Sequence, residues 1–193
     1  ADEWTVMTYE QLYLLAKERC SDLEKELERI TKERLAEQED KREIPIHLIR
    51  MMLAKANLHH PVVVLYFAAP YCPHNTLKEQ EEAILSKLRQ ITEEMKKEEG
   101  VSYQICQFFP SLSDSSYLAI DDSEQAIEVL RKNFPQMEQL YPLPFSQMKK
   151  LGIKAVNFGV HGKDAHKWTE RLYMPYSFEV LPKLIRKTLE SFL

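Results

Sequence analysis

The sequence has no long apolar run, no basic surplus and few cysteines, and each shortage excludes a class of protein. No apolar run approaches the ~20 residues that span a bilayer, and the N-terminus lacks the charged-then-apolar pattern of a signal peptide. The net charge is −4 and the charges are interspersed, so neither a nucleic-acid nor a membrane partner is expected. The three cysteines, Cys20, Cys72 and Cys106, are widely spaced and odd in number, which favours reduced thiols in a cytoplasmic protein.

What remains is the composition of an ordinary globular protein. The 193 residues are 44% hydrophobic and 29% charged, which suffices for a single domain with a sizeable core. The chain begins at Ala1 and not at a methionine, so a trimmed fragment is one interpretation of it.

Two helices are predicted before the first strand. Thr8 and Gln11 form a capping box, and apolar residues at helical spacing predict one long amphipathic helix to near Leu35. Its apolar stripe packs on its own domain or, alternatively, meets a partner. Pro45 suits the first turn of a second helix. We therefore predict a helical segment over 1–57 that packs on an α/β part over 58–193.

Three apolar runs predict strands at Pro61–Phe67, Val101–Phe108 and Ile153–Phe158. The first run is continuous, as in a strand that is covered on both faces. Helical patterns alternate with the three runs, including a last helix that we expect Ser177 to cap. This order predicts an α/β fold with three layers, in which helices flank a mostly parallel sheet.

A polar loop follows each predicted strand. The loops run from Tyr71 to Asn75, from Ser111 to Tyr117 and from His161 to Glu170, the last within the polar stretch Gly159–Leu172. Parallel strands would bring all three to one edge of the sheet, where ligands bind. In the last loop, Glu170 follows His166 at i+4 and could fix the imidazole tautomer of a metal ligand. The plainer interpretation is that these are incidental loop residues.

A thioredoxin-like interpretation is the minor alternative. The run Val62–Cys72 resembles the strand that enters an aromatic-Cys-x-x-Cys helix start, but Asn75 occupies the position of the second cysteine. Such a domain would have Cys72 as its single reactive thiol.

Read together, the loops resemble a known family. The segments that carry the resemblance are Ala69–His74, Phe109–Asp114 and Gly162–Leu172. The chain is similar to the C-terminal part of the arginine-utilisation subgroup of the zinc metallopeptidases, which also include carboxypeptidases, aminoacylases, acetylornithine deacetylases and succinyl-diaminopimelate desuccinylases.

The resemblance implies specific roles. His166 would hold one zinc of a two-metal hydrolytic site, and Glu170 would contact His166 and orient its imidazole. Ser113, Asp114 and His74 would contact a small-molecule substrate, an N-acyl amino acid or a short peptide. The metal would polarise the amide carbonyl of that substrate.

The same comparison shows what is missing. Relatives take further ligands from a His-x-Asp motif and a Glu-Glu pair. No His-x-Asp occurs here, and the paired glutamates from Glu81 to Glu99 lie on one predicted helix face. We therefore expect a segment that is inactive alone, binds zinc weakly or not at all, and exposes a surface that could form homo-oligomers. The competing hypothesis is a non-catalytic α/β module for binding or assembly.

Overall fold

Helices make up most of this computed structural model, which describes residues 4–71, 82–106 and 115–193. The chain divides into two units, one of Ala1–Pro73 with Ile120–Lys150 and one of His74–Ala119 with Leu151–Leu193. No helix in the described ranges is both long and apolar enough to cross a membrane.

The first unit begins with a strand, β1 (Thr5–Thr8), that pairs in parallel with β2 (Val62–Leu65). In the described part of this unit, five helices accompany the strands: α1 (Tyr9–Arg19), α2 (Leu23–Ala36), α3 (Ile44–Lys55), α5 (Glu124–Lys132) and α6 (Met137–Leu140). They are followed by α7 (Phe145–Leu151), whose last residue belongs to the second unit. The helix α4 (Glu82–Glu99) belongs to the second unit.

The capping box at the start of α1 is confirmed. The Thr8 hydroxyl accepts from the backbone N–H of Gln11, and the Gln11 side chain accepts from the backbone N–H of Thr8. Two amides that lack helical partners are satisfied in this way. The helix at Pro45 is confirmed as well, with that proline in the first turn of α3.

The single long helix to Leu35 was wrong, because the chain breaks between α1 and α2. Cys20 is extended, with φ −137° and ψ 99°. Both helices pack on α3, and the break lets each of them turn its buried side chains toward it. Helical periodicity persists across the break, which is why the sequence pattern did not reveal it.

The core of the first unit lies where α1, α2 and α3 meet the inner face of the sheet. Its fully buried side chains are Leu12, Ala16, Leu23, Leu27, Ile44, Leu48, Met52 and Leu140. Burying one such leucine or isoleucine side chain contributes about 1.5–3 kcal/mol.

Asn133 connects three segments of this unit. Its Oδ1 accepts from the backbone N–H of Glu10 at 3.0 Å, and its Nδ2 donates to the carbonyl of Val129 at 3.0 Å. The backbone carbonyl of Asn133 accepts from the N–H of Phe67 at 2.8 Å. This buried residue therefore joins the start of α1, the end of α5 and the chain just after β2.

The second unit is built on α4 and a C-terminal helix. A π-helical turn (Tyr176–Val180) leads into α8 (Leu181–Phe192), and α8 packs on α4 through Ile91, Met95, Leu181 and Leu184. Lys187 pairs with Glu98 at 2.6 Å beside this core. The unit also contains a short hairpin of β3 (Gly162–Lys163) and β4 (Arg171–Leu172).

The α/β class is confirmed only in a coarse form, as helices with small sheets. A three-layer, mostly parallel sheet is not seen: the described residues form two sheets of two strands each. Residues 101–106 and 152–161 are in no strand, and Ile153 and Val156 are exposed. An apolar run becomes a strand only when another strand pairs with it, and these segments have no such partner in the described ranges. The predicted Ser177 cap was also wrong, since Ser177 lies within the π-helical turn and its hydroxyl makes no hydrogen bond there.

Replacing Asn133 by alanine should destabilise the first unit by about 1–3 kcal/mol, because the partly buried N–H of Glu10 loses its acceptor. Denaturant unfolding followed by circular dichroism measures the change. Gln125→Ala removes the same kind of amide from an exposed position on α5 and should cost much less. Equal effects of the two substitutions would contradict the role given to Asn133.

Candidate functional site

The loop that holds His161 and His166 forms a hairpin in the second unit. Gly162 pairs with Leu172 and Lys163 with Arg171 in antiparallel register. Below these pairs, the N–H of Tyr173 donates to the carbonyl of His161 at 2.7 Å. The hairpin therefore places residues 164–170 at its tip.

Two residues at the tip have left-handed backbone conformations. Asp164 has φ 59° and His166 has φ 63°, in a region that residues other than glycine rarely adopt. The N–H of Lys167 donates to the carbonyl of Asp164 at 3.0 Å, and the N–H of Glu170 donates to that of Lys167 at 3.0 Å. Such backbone conformations persist where surrounding contacts hold them, and they are frequent at functional sites.

Charged side chains brace the tip. Arg171 Nη2 lies 2.9 Å from Asp164 Oδ2. This ion pair connects the residue after β3 to the first residue of β4. Glu170 Oε2 accepts from the backbone N–H of His166 at 3.3 Å. The carboxylate that was predicted to orient the imidazole thus contacts the backbone of His166 instead.

The His166 side chain is exposed. Its neighbour Trp168 has 97% of its surface accessible. Within the part of the chain that the structure describes, the imidazole makes no hydrogen bond, and no group of three or more His, Cys, Asp or Glu side chains could hold a metal ion. An accessible imidazole fits one position of a zinc coordination sphere, and a catalytic zinc takes about three protein ligands.

An aromatic cluster holds the base of the hairpin. The His161 ring lies edge-on to Tyr173 and Tyr176, with centroids 5.6 and 6.2 Å away, and Tyr176 lies 6.4 Å from Tyr103. Tyr103 and Tyr176 also pack against the core of α4 and α8. His161 is therefore a contact residue at the base of the hairpin, well placed to anchor it to the unit.

Two hydroxyls are buried without a hydrogen-bond partner among the described residues, those of Tyr103 and Ser177. Burial of the Tyr103 hydroxyl, with a smaller contribution from Tyr176, raises the pKa of Tyr103 to about 12. Sequence reasoning missed this cluster because Tyr103 lay in a predicted strand. The sequence signal for the cluster was the presence of two tyrosines, Tyr173 and Tyr176, close together in the chain.

The other predicted site residues lie outside the described residues. His74 and Cys72 fall in 72–81, and Ser113 and Asp114 fall in 107–114. The meeting of three polar loops at one sheet edge stays a prediction. His166 and Glu170 are the members of the predicted set that the structure describes, and it places them in contact.

Comparison with known proteins finds relatives that are much longer than this chain. The chain is 34% identical over 191 residues to Uncharacterized protein YqjN of Bacillus subtilis (strain 168), a match that covers 98% of this chain and 34% of that protein. It is 39% identical over 129 residues to Protein RocB of the same organism, covering 65% of this chain and 23% of that protein. The chain thus spans about a third or less of the curated relatives it matches. No family model matches the chain, and no solved structure matches it either.

Gly162→Ala should disrupt the hairpin. A Cβ at this position would lie 2.5 Å from the carbonyl oxygen of Arg171, a backbone atom that cannot turn away. We expect large shifts of the amide resonances of residues 162–172 in NMR spectra. Gly159→Ala is the matched control, since nothing lies within 4 Å of its Cβ. Unchanged hairpin resonances in Gly162→Ala would contradict the pairing described here.

The raised pKa of Tyr103 makes the second unit sensitive to alkali. Between its ordinary value near 10 and about 12, the folded state keeps a proton that the unfolded state releases. The contribution of protonated Tyr103 to the free energy of unfolding is therefore fully present below pH 10 and is lost as the pH rises toward 12. Tyr103→Phe should flatten this fall and cost little at pH 7, because no residue that the structure describes lies within hydrogen-bond geometry of the buried hydroxyl that it removes. Unfolding titrations of Tyr103→Phe and of Tyr173→Phe, at an exposed position, provide the comparison, and an equal flattening in both would contradict the assignment.

Proposed function

We propose that this chain is the C-terminal segment of a zinc-dependent hydrolase that cleaves amide bonds of N-acyl amino acids or short peptides in arginine utilisation, and that it is inactive alone. The observation that carries the proposal is the accessible imidazole of His166 at the tip of a braced hairpin. That hairpin contains the Gly162–Leu172 motif on which the resemblance to zinc metallopeptidases depends.

The residues of this chain would act by positioning one metal ligand. His166 has a left-handed backbone and is exposed at the tip. The Asp164–Arg171 ion pair and the Glu170 contact restrain the loop around it. Restraint of this kind lowers the entropy that a ligand side chain loses on binding. Zinc, when bound, would polarise the substrate carbonyl and favour attack by water.

The remaining ligands would come from other parts of a longer protein. A catalytic zinc takes about three protein ligands, and His166 supplies one. About two thirds of the length of Uncharacterized protein YqjN lies outside the match, which leaves ample chain for the others. Similarity to Protein RocB over 65% of this chain supports the proposed place in arginine utilisation. Ser113, Asp114 and His74 are proposed to contact the substrate.

The chain itself should bind zinc weakly and through His166. Calorimetric titration, with imidazole resonances followed by NMR, should show a weak site that His166→Ala abolishes. His59→Ala is the control, because it removes an exposed histidine from the other unit. Tight stoichiometric binding would mean that further ligands lie within this chain. Binding that survives in His166→Ala would show that the wrong histidine was chosen.

Catalysis requires the longer framework, which a chimera can supply. In this chimera the present sequence replaces the matched third of Uncharacterized protein YqjN. We expect it to hydrolyse N-acetyl-arginine or a related N-acyl amino acid, to lose activity with a chelator and regain it with zinc, and to lose most of its rate as His166→Ala. A chimera that unfolds cooperatively but hydrolyses none of a panel of N-acyl amino acids and dipeptides would contradict the proposed hydrolase and favour a non-catalytic module.

A further inference from the structure

The sheet of β1 and β2 has one buried face and one open face. Met7, Val62 and Val64 point into the core of the first unit. The alternate residues point away from it, and Val6 is 63%, Val63 39% and Leu65 57% exposed. The two faces follow from the alternation of side chains along a strand.

The open face extends beyond the ends of the strands. Trp4, two residues before Val6, is exposed, and so is Phe67, two residues after Leu65. The outer face, defined by these residues, consists of Trp4, Val6, Val63, Leu65 and Phe67. It contains no charged side chain, although 29% of the residues in the sequence are charged.

An open apolar face is unusual on a sheet of this kind. Parallel sheets occur almost always with both faces covered, and a sheet of two strands is marginal without further packing. Within the described ranges β1 and β2 pair only with each other, so each strand also keeps one edge without a neighbouring strand. Exposed apolar patches of this kind mark surfaces that contact another polypeptide.

The length of the relatives indicates what covers this face. The match to Uncharacterized protein YqjN takes in 98% of this chain and 34% of that protein. A polypeptide about twice the length of this chain therefore accompanies the matched region there. An apolar, uncharged surface fits a strand and apolar side chains from such a polypeptide and does not fit a polar ligand.

We propose that the outer face is a docking surface for the polypeptide that proteins such as YqjN carry outside the matched region, which adds a strand beside β1 or β2 and covers Val6, Val63 and Leu65. The proposal concerns the first unit and is independent of the zinc chemistry proposed for the hairpin. It accounts for a strand whose sequence is apolar on both faces and whose structure buries only one.

The test compares one substitution in two settings, the isolated chain and the YqjN chimera. In the isolated chain Leu65→Glu should leave the midpoint of thermal unfolding nearly unchanged, because the side chain is already exposed. In the chimera it should lower the midpoint by about 5 °C or more, because a charge would be buried without a partner. Val129→Glu is the matched control, an exposed apolar residue on α5 that should be tolerated in both settings.

Any of four outcomes would overturn the proposal. Leu65→Glu could shift both midpoints equally, or neither. Sedimentation could show that the isolated chain dimerises and that Leu65→Glu makes it monomeric, which would assign the outer face to a second copy.

If the chimera is insoluble, the chain is titrated with the unmatched part of YqjN as a separate polypeptide. Binding that Leu65→Glu weakens at least tenfold supports the proposal, and absence of binding overturns it. Zinc-dependent hydrolysis is measured separately, so the two proposals can fail independently.

Discussion

The first unit depends on the hydrogen bonds of a single buried amide. Asn133 satisfies an amide at the start of α1, the carbonyl of Val129 and, through its own carbonyl, the N–H of Phe67. These partners lie up to 123 residues away in sequence, so closing the chain between them costs entropy. Apolar burial offsets most of that cost but fixes no particular geometry, whereas the buried side-chain amide of Asn133 is satisfied only when the N–H of Glu10 and the carbonyl of Val129 lie within hydrogen-bond distance.

Features that depend on neighbouring residues were predictable from the sequence. The Thr8–Gln11 capping box and the proline in the first turn of α3 are local interactions, and both are confirmed. Gly100 directly follows α4 and has φ +70°, a conformation that glycine adopts without strain. The break at Cys20 was not predictable in this way, because it reflects the packing of two helices on α3.

Sheet formation was the least predictable part of the fold. Val62–Leu65 became a strand because β1 lies beside it, while the apolar run from Ile153 has no strand beside it in the described residues. Strand pairing is a property of two segments, and an apolar pattern reports on only one. Asn133 was missed for the same reason, since nothing near it in the sequence indicates a partner at Glu10.

For the candidate site, residue types were predictable and geometry was not. The glycines and charges of Gly159–Leu172 indicated a functional loop, but its hairpin register, its two left-handed residues and the Asp164–Arg171 pair depend on backbone conformation. Glu170 stands at i+4 from His166, yet that spacing implies a side-chain contact only on a helix. On this hairpin the carboxylate contacts the backbone N–H instead.

The π-helical turn at Tyr176–Val180 determines how the side chains at its start are oriented relative to those of α8. The N–H of Leu181 donates to the carbonyl of Tyr176, five residues back, so the turn holds one residue more than an α-helical turn. Each residue of a helix advances by about 100°. The extra residue therefore sets the angle between Tyr176, which contacts His161 of the hairpin, and the leucines that face α4. Deleting a single residue from this turn would rotate α8 by about 100° relative to Tyr176. The contact with the hairpin and the packing of the leucines on α4 could then not form together, although every side chain that makes them would still be present.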